Sequence, residues 1–259
     1  MTLKRLMVAT LLISGWLLMI WLLTHGCQQS PVSINEEPQE CCFNQHEVIE
    51  IKGKSSRISR ESAVKIHVSS MAGRVRGTGS YFTYKGSHIV ITAAHLWMRI
   101  ESRVMKSKAQ VTGSEDMVIG TLVYIDHDND IAILEVPELG GRKPAKFNRA
   151  RSYAVGEKTT YSGFPGANNL LTFQGEIAGE GYGRDITMFS MAWGGSSGSG
   201  VFNESGEYVG VVSSIMVGRG FAGPQLVGTV VYVAPANLID LNLLDSALNA
   251  KGATKNDGF

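Results

Sequence analysis

Trp193-Gly194-Gly195-Ser196-Ser197-Gly198-Ser199-Gly200 sets serines among glycines just ahead of the apolar pair Val201-Phe202. A serine hydroxyl becomes a useful nucleophile only when a base takes its proton, and the base needs a third group to fix its tautomer. Upstream, Val90-Ile91-Thr92-Ala93-Ala94-His95 ends an apolar run on an imidazole, and Asp130 stands immediately before Ile131-Ala132-Ile133-Leu134. Ser197, His95 and Asp130 therefore supply the residue types that acyl transfer uses as nucleophile, general base and orienter. Ser196 and Ser199 are rival nucleophiles on residue type alone. Asp126-His127-Asp128-Asn129-Asp130 has the spacing of a calcium loop, but Ile131 stands where such a loop needs glycine and Pro137 where it needs glutamate. No metal and no cofactor is expected.

The order His, Asp, Ser, with these local contexts, resembles the chymotrypsin/trypsin-like serine peptidases. Tyr161-Ser162-Gly163-Phe164-Pro165-Gly166 and Val233-Ala234-Pro235-Ala236-Asn237-Leu238-Ile239 are similar to segments of HtrA/Deg-type and related stand-alone peptidases. The resemblance covers roughly residues 62 to 245. It implies an all-β fold of two six-stranded antiparallel β-barrels with a C-terminal helix, and a serine endopeptidase acting on polypeptides. It further implies His95 as general base, Asp130 as orienter, Ser197 as nucleophile, and an oxyanion hole from the N–H groups of Gly195 and Ser197. Substrate-binding positions fall at Met191 and Ala192 for the pocket base, Ser213, Ser214 and Ile215 for one wall, and Val230 to Tyr232 for another. These residues carry no carboxylate, so a small or medium apolar residue before the scissile bond (P1) is expected. Ser196 occupies the place where mammalian trypsins carry an activating aspartate, so activation by N-terminal cleavage is not expected.

The elements that must position these residues read as strands. Val64, Ile66 and Val68 alternate with Lys65 and His67, the period of a half-buried strand. Gly77–Phe82 and His88–Thr92 flank a hairpin at Lys85-Gly86, and further strands are expected over 117–125, 131–136, 158–161, 171–177, 187–191, 200–202, 208–213 and 227–233. Strand following strand with glycine-rich turns argues an all-β barrel or sandwich. Pro137–Pro144 reads as the connection between halves. A single good helix is expected after Pro235, with Leu238, Ile239, Leu241, Leu244 and Leu248 on its apolar face, ending at Lys251-Gly252. The divisions are an N-terminal segment (1–27), a tether (28–60), the catalytic unit (61–250; first barrel about 61–136, second about 145–234, helix 235–250) and a tail (251–259).

The N-terminal segment predicts a hydrophobic helix. Lys4 and Arg5 precede an uncharged run from Leu6 to Leu23, about 27 Å long as a helix and just enough to span a bilayer. The basic flank favours a cytoplasmic N-terminus and a catalytic domain on the far side, at the periplasm or cell surface. A signal anchor, a cleaved signal peptide and a lipoprotein signal ending at Cys27 compete here. Cys27, Cys41 and Cys42 are the only cysteines, so nothing after residue 42 can form a disulfide. Net charge is +1, which gives no reason to expect nucleic acid as partner. Against the peptidase stand two alternatives: a catalytically silent module of the same fold on a membrane or virus particle, and an α/β-hydrolase-type esterase. The strand-rich pattern and His-first order argue against the second.

Overall fold

The computed structural model describes residues 50–70, 73–97, 108–113, 117–167, 169–181, 183–220 and 223–256. The hydrophobic segment expected over residues 6–23 and the three cysteines lie outside them. Among the described residues no helix is long and apolar enough to cross a membrane.

Strands β1 (Ala63–Ser70), β2 (Gly73–Tyr84), β3 (Ser87–Thr92), β4 (Lys108–Thr112), β5 (Met117–Asp126) and β6 (Ile131–Glu135) form the first barrel. They run in the order β1-β4-β5-β6-β3-β2, and the β1–β2 pairing closes the ring. Val64, Ile66 and Val68 point inward with Tyr81, Val90 and Leu134, while Lys65 and His67 point out, as their alternation dictates. The Lys85-Gly86 turn has φ of 46° and 85°, the doubly positive geometry that suits the twist of a two-residue hairpin. β7 (Ala145–Lys146) adds to β2 in parallel after the connecting segment.

The second barrel comprises β8 (Lys158–Gly163), β9 (Leu171–Glu180), β10 (Ile186–Phe189), β11 (Gly200–Asn203), β12 (Tyr208–Gly220) and β13 (Gly223–Pro235), closed in the order β10-β13-β12-β11-β8-β9. Ile177, Met188, Val201, Val209, Val231 and Val233 fill it. A third cluster joins the two barrels: Phe82, Ile89, Ile91, Ile131 and Ile133 meet Phe202, Tyr208, Val211 and Ala234. The Phe82 and Tyr208 rings pack edge to face at 4.8 Å between centroids. This explains why Ile89-Val90-Ile91 and Ile131-Ala132-Ile133-Leu134 are continuously apolar: one face fills the barrel, the other the seam.

The helices depart from expectation. The segment assigned to the tether ends in α1 (Lys54–Ser62), which packs mainly on β8. Its buried face is Ser55, Ser56, Ser59 and Ser62, so no hydrophobic periodicity announces it. Ser59 Oγ donates to Ser162 Oγ at 2.8 Å, and Ser55 Oγ pairs with Thr160 Oγ1 at 3.2 Å. The C-terminal helix α2 spans Leu241–Asn256, starting later than the position after Pro235. The Asp240 carboxylate caps it, accepting from the N–H groups of Asn242 (2.9 Å) and Leu243 (3.1 Å). Gly252 lies inside it, not at its end. β4 was not anticipated, because only Ala109 and Val111 mark its inward face.

Candidate active site

Each candidate residue is fixed by the strand end that carries it. β3 stops at Thr92, and fully buried Ala93 and Ala94 lead into a short 3-10 turn, Ala94–Trp97, that holds His95. Asp130 ends the β5–β6 turn at φ 52°, a left-handed conformation that Asp tolerates better than most residues. Asp126, weighed as a calcium ligand, organises this turn instead: its Oδ1 accepts from the N–H groups of Asp128 and Asn129, each at 3.0 Å. The turn lays the Asp130 carboxylate along His95. Oδ1 accepts the His95 backbone N–H at 2.7 Å, and Oδ2 lies 2.8 Å from His95 Nδ1. Ser213 Oγ donates to the same Oδ2 at 2.5 Å. Burial pushes the Asp130 carboxyl upward, but the bonds from His95 and Ser213 outweigh it and hold the group below the usual carboxylate value.

The Trp193–Ser199 loop turns its carbonyls away from the cleft. Gly194 O accepts from Gly166 N–H at 2.6 Å, Gly195 O from Thr78 Oγ1 at 2.8 Å, and Ser197 O from Thr78 N–H at 2.8 Å. Gly195 and Gly198 adopt φ of 100° and 89°, which only glycine takes without strain. Among the described residues the N–H groups of Gly195 and Ser197 meet no protein acceptor. Ser196 and Ser199 are buried to 1% and 0% exposure, whereas Ser197 is half-buried. Among the described residues Ser199 Oγ meets no hydrogen-bond partner under the loop.

One cavity of about 520 Å³ brings His95, Asp130 and Ser197 together with Ala192, Ser213, Ser214 and Ile215. Met191 and Val230, expected to line the pocket, do not: the Met191 side chain is largely exposed and Val230 pairs with Phe189 in β13. Trp193, Val212 and His127 line it in their place. Trp193 stands edge-on to Phe173, which stacks on Tyr161, whose hydroxyl donates to Met191 O. This aromatic brace orients the 191–193 backbone and was not foreseen. Thr78 was missed too, although a lone threonine between Gly77 and Gly79 hints at a tightly approached backbone. His127 lay within the segment considered for calcium.

The model of the trypsin-like peptidase domain matches residues 77–211, over half of the 259-residue chain. The chain belongs to the trypsin-like peptidase family. It is a serine endopeptidase by that membership, and polypeptide is its substrate class. A serine endoprotease from Yersinia pestis is similar in structure at 20% identity, with a TM-score of 0.58 over 77% of this chain and 68% of that one. A protease from M. tuberculosis H37Rv in an inactive form matches at 21% identity and TM-score 0.56, covering 76% of this chain and 92% of that one. The HtrA-type protease AlgW, solved with a tripeptide, matches at 16% identity and TM-score 0.59 over 74% of this peptidase, which spans 62% of AlgW. At these identities the likeness is one of fold. No curated protein sequence matches the peptidase.

Proposed function

We propose that Ser197 attacks the scissile carbonyl while His95 takes its proton, with Asp130 holding the imidazole and stabilising the imidazolium. Gly195 and Ser197 N–H groups would receive the developing oxyanion. The observation that carries this reading is the double contact of Asp130 with the backbone and ring of His95, in one cleft with Ser197. Ala192, Val212, Ser214 and Ile215 line the cleft without a further carboxylate, which supports a small or medium apolar P1 residue. Ser213 serves Asp130 in this scheme as well as the wall.

The same reading places the catalytic unit at residues 61–250, with α1 docked on it, tethered to a membrane through residues 1–27 and facing the non-cytoplasmic side. The test is fluorophosphonate labelling of the full chain beside its Ser197→Ala variant. Labelling of the first and not the second is expected; equal labelling of both would move the nucleophile elsewhere. Absence of labelling in the folded wild type would favour the silent module.

A further inference from the structure

Beyond the cleft, β2 carries the face that Thr78 buries under the nucleophile loop out into solvent. Residues two apart on a strand share a face, so Arg76 and Arg74 follow Thr78 along this side. The register sets Lys65 opposite Thr78, His67 opposite Arg76 and Ser69 opposite Arg74. Arg74 and Arg76 are exposed, and none of Lys65, Arg74 and Arg76 forms an ion pair among the described residues. Burial lowers the pKa of His67, and the charges of Arg76, Arg74 and Lys65 around it lower it further. Lys65 Nζ sits 4.9 Å from the centre of the Phe164 ring, and a Cβ on Gly195 would come within 2.6 Å of the Phe164 carbonyl. The cationic ledge is thus continuous with the nucleophile loop.

Its side of the cleft is set by hydrogen bonds. β12 holds the loop from one flank, through Gly198 N–H to Val212 O and Val212 N–H to Ser199 O, and β2 holds it from the other, through Thr78 N–H to Ser197 O, each at 2.8 Å. The wall of Ser213, Ser214 and Ile215 belongs to the β12 flank and, in the proposed reaction, would take the acyl half of a substrate. The leaving half would then exit over β2. At about 3.4 Å per residue, Arg76 and Arg74 lie roughly 7 and 14 Å along the strand from Thr78, the reach of the second to fourth residues after the scissile bond.

We propose that Lys65, Arg74 and Arg76 make this enzyme select substrates with acidic residues on the leaving-group side, at P2′ to P4′. The inference rests on Ser197 as the nucleophile.

The experiment begins with wild-type turnover of peptidyl aminocoumarins, which have no peptide on the leaving side and identify the preferred P1 residue. Internally quenched peptides with that acyl segment then carry Glu, Gln or Lys at P2′–P4′. The Glu series should be cleaved with about tenfold higher kcat/KM than the Gln series at low salt, the sum of two or three exposed ion pairs, and the advantage should fade as salt screens it. In the Arg74→Glu/Arg76→Glu double variant the Lys series should overtake the Glu series, an inversion that mere structural damage does not produce. Aminocoumarin turnover with no charge preference overturns this inference alone. No turnover of any aminocoumarin or quenched peptide, together with no Ser197-dependent fluorophosphonate labelling, overturns the nucleophile assignment and this inference with it.

Discussion

Thr78 donates its backbone N–H to the carbonyl of Ser197 at 2.8 Å, and its hydroxyl donates to Gly195 O at the same distance. One residue of the first barrel therefore holds both ends of the segment from which oxyanion donors are expected. The same hydroxyl accepts from Phe164 N–H at 3.0 Å. Thr78→Val keeps the shape and leaves the buried Phe164 N–H and the part-buried Gly195 carbonyl without this partner. A loss of about 1–3 kcal/mol in stability is expected, with a fall in kcat/KM that exceeds what the stability change explains. Chemical denaturation and steady-state kinetics check both; unchanged kinetics would show that the loop holds its shape without Thr78.

Asp130 ties the site to acid stability. Its folded-state pKa lies below the ordinary value, so its contribution is complete above that value, about 3.9, and is lost as pH falls through the folded one. The stability gap between wild type and Asp130→Asn should therefore be constant above about pH 5 and close as pH drops below 4. Ser213→Ala removes one of the bonds that lower the pKa, so in that variant the contribution should be smaller and its loss complete at a higher pH, the onset being unchanged. Denaturation midpoints from pH 6 to pH 2 measure this, and coincident wild-type and Ser213→Ala curves would contradict it.

Gly198 has no room for a methyl group. A Cβ there would sit 1.9 Å from Thr78 O and 2.1 Å from Thr92 Oγ1, at φ 89°. Gly198→Ala should cost more than about 4 kcal/mol and give little soluble protein, where Ser197→Ala beside it folds normally. Soluble yield and near-UV circular dichroism compare the two.

The serine-faced helix offers a fourth stability test. A chain beginning at residue 63 lacks α1 and its bonds to Ser162 and Thr160. Two net hydrogen bonds contribute about 2 kcal/mol, so Tm should fall by roughly 4–8 °C relative to a chain beginning at residue 50. Calorimetry on the two chains decides whether α1 belongs to the folded unit.

The sequence made the strands visible wherever apolar residues alternated or ran continuously, and concealed elements held by other means. α1 docks through hydroxyls, and β4 shows only Ala109 and Val111 to the core; hydrophobic periodicity is blind to both. At the site, His95, Asp130 and Ser197 stood out because each follows or precedes an apolar run that fixes its place. Met191 and Val230 are not among the residues lining the cavity, and for Met191 a count from Ser197 takes no account of the Tyr161 hydroxyl drawing in its carbonyl. Ser213 has two neighbours of different kinds, since a register shift between Val212 and Ser214 in β12 frees it to reach Asp130. No spacing rule contains that bulge.

The ties across the seam also set a schedule for the newly made chain. Barrel one, with His95 and Asp130, leaves the ribosome first, while Ser197 and Ser213, which Thr78 and Asp130 bind, come more than half a barrel later. Until β12 is synthesised and paired, the Trp193–Ser199 loop has only the β2 flank to brace it. The cleft that gathers His95, Asp130 and Ser197 is therefore complete only once both barrels have been made and joined.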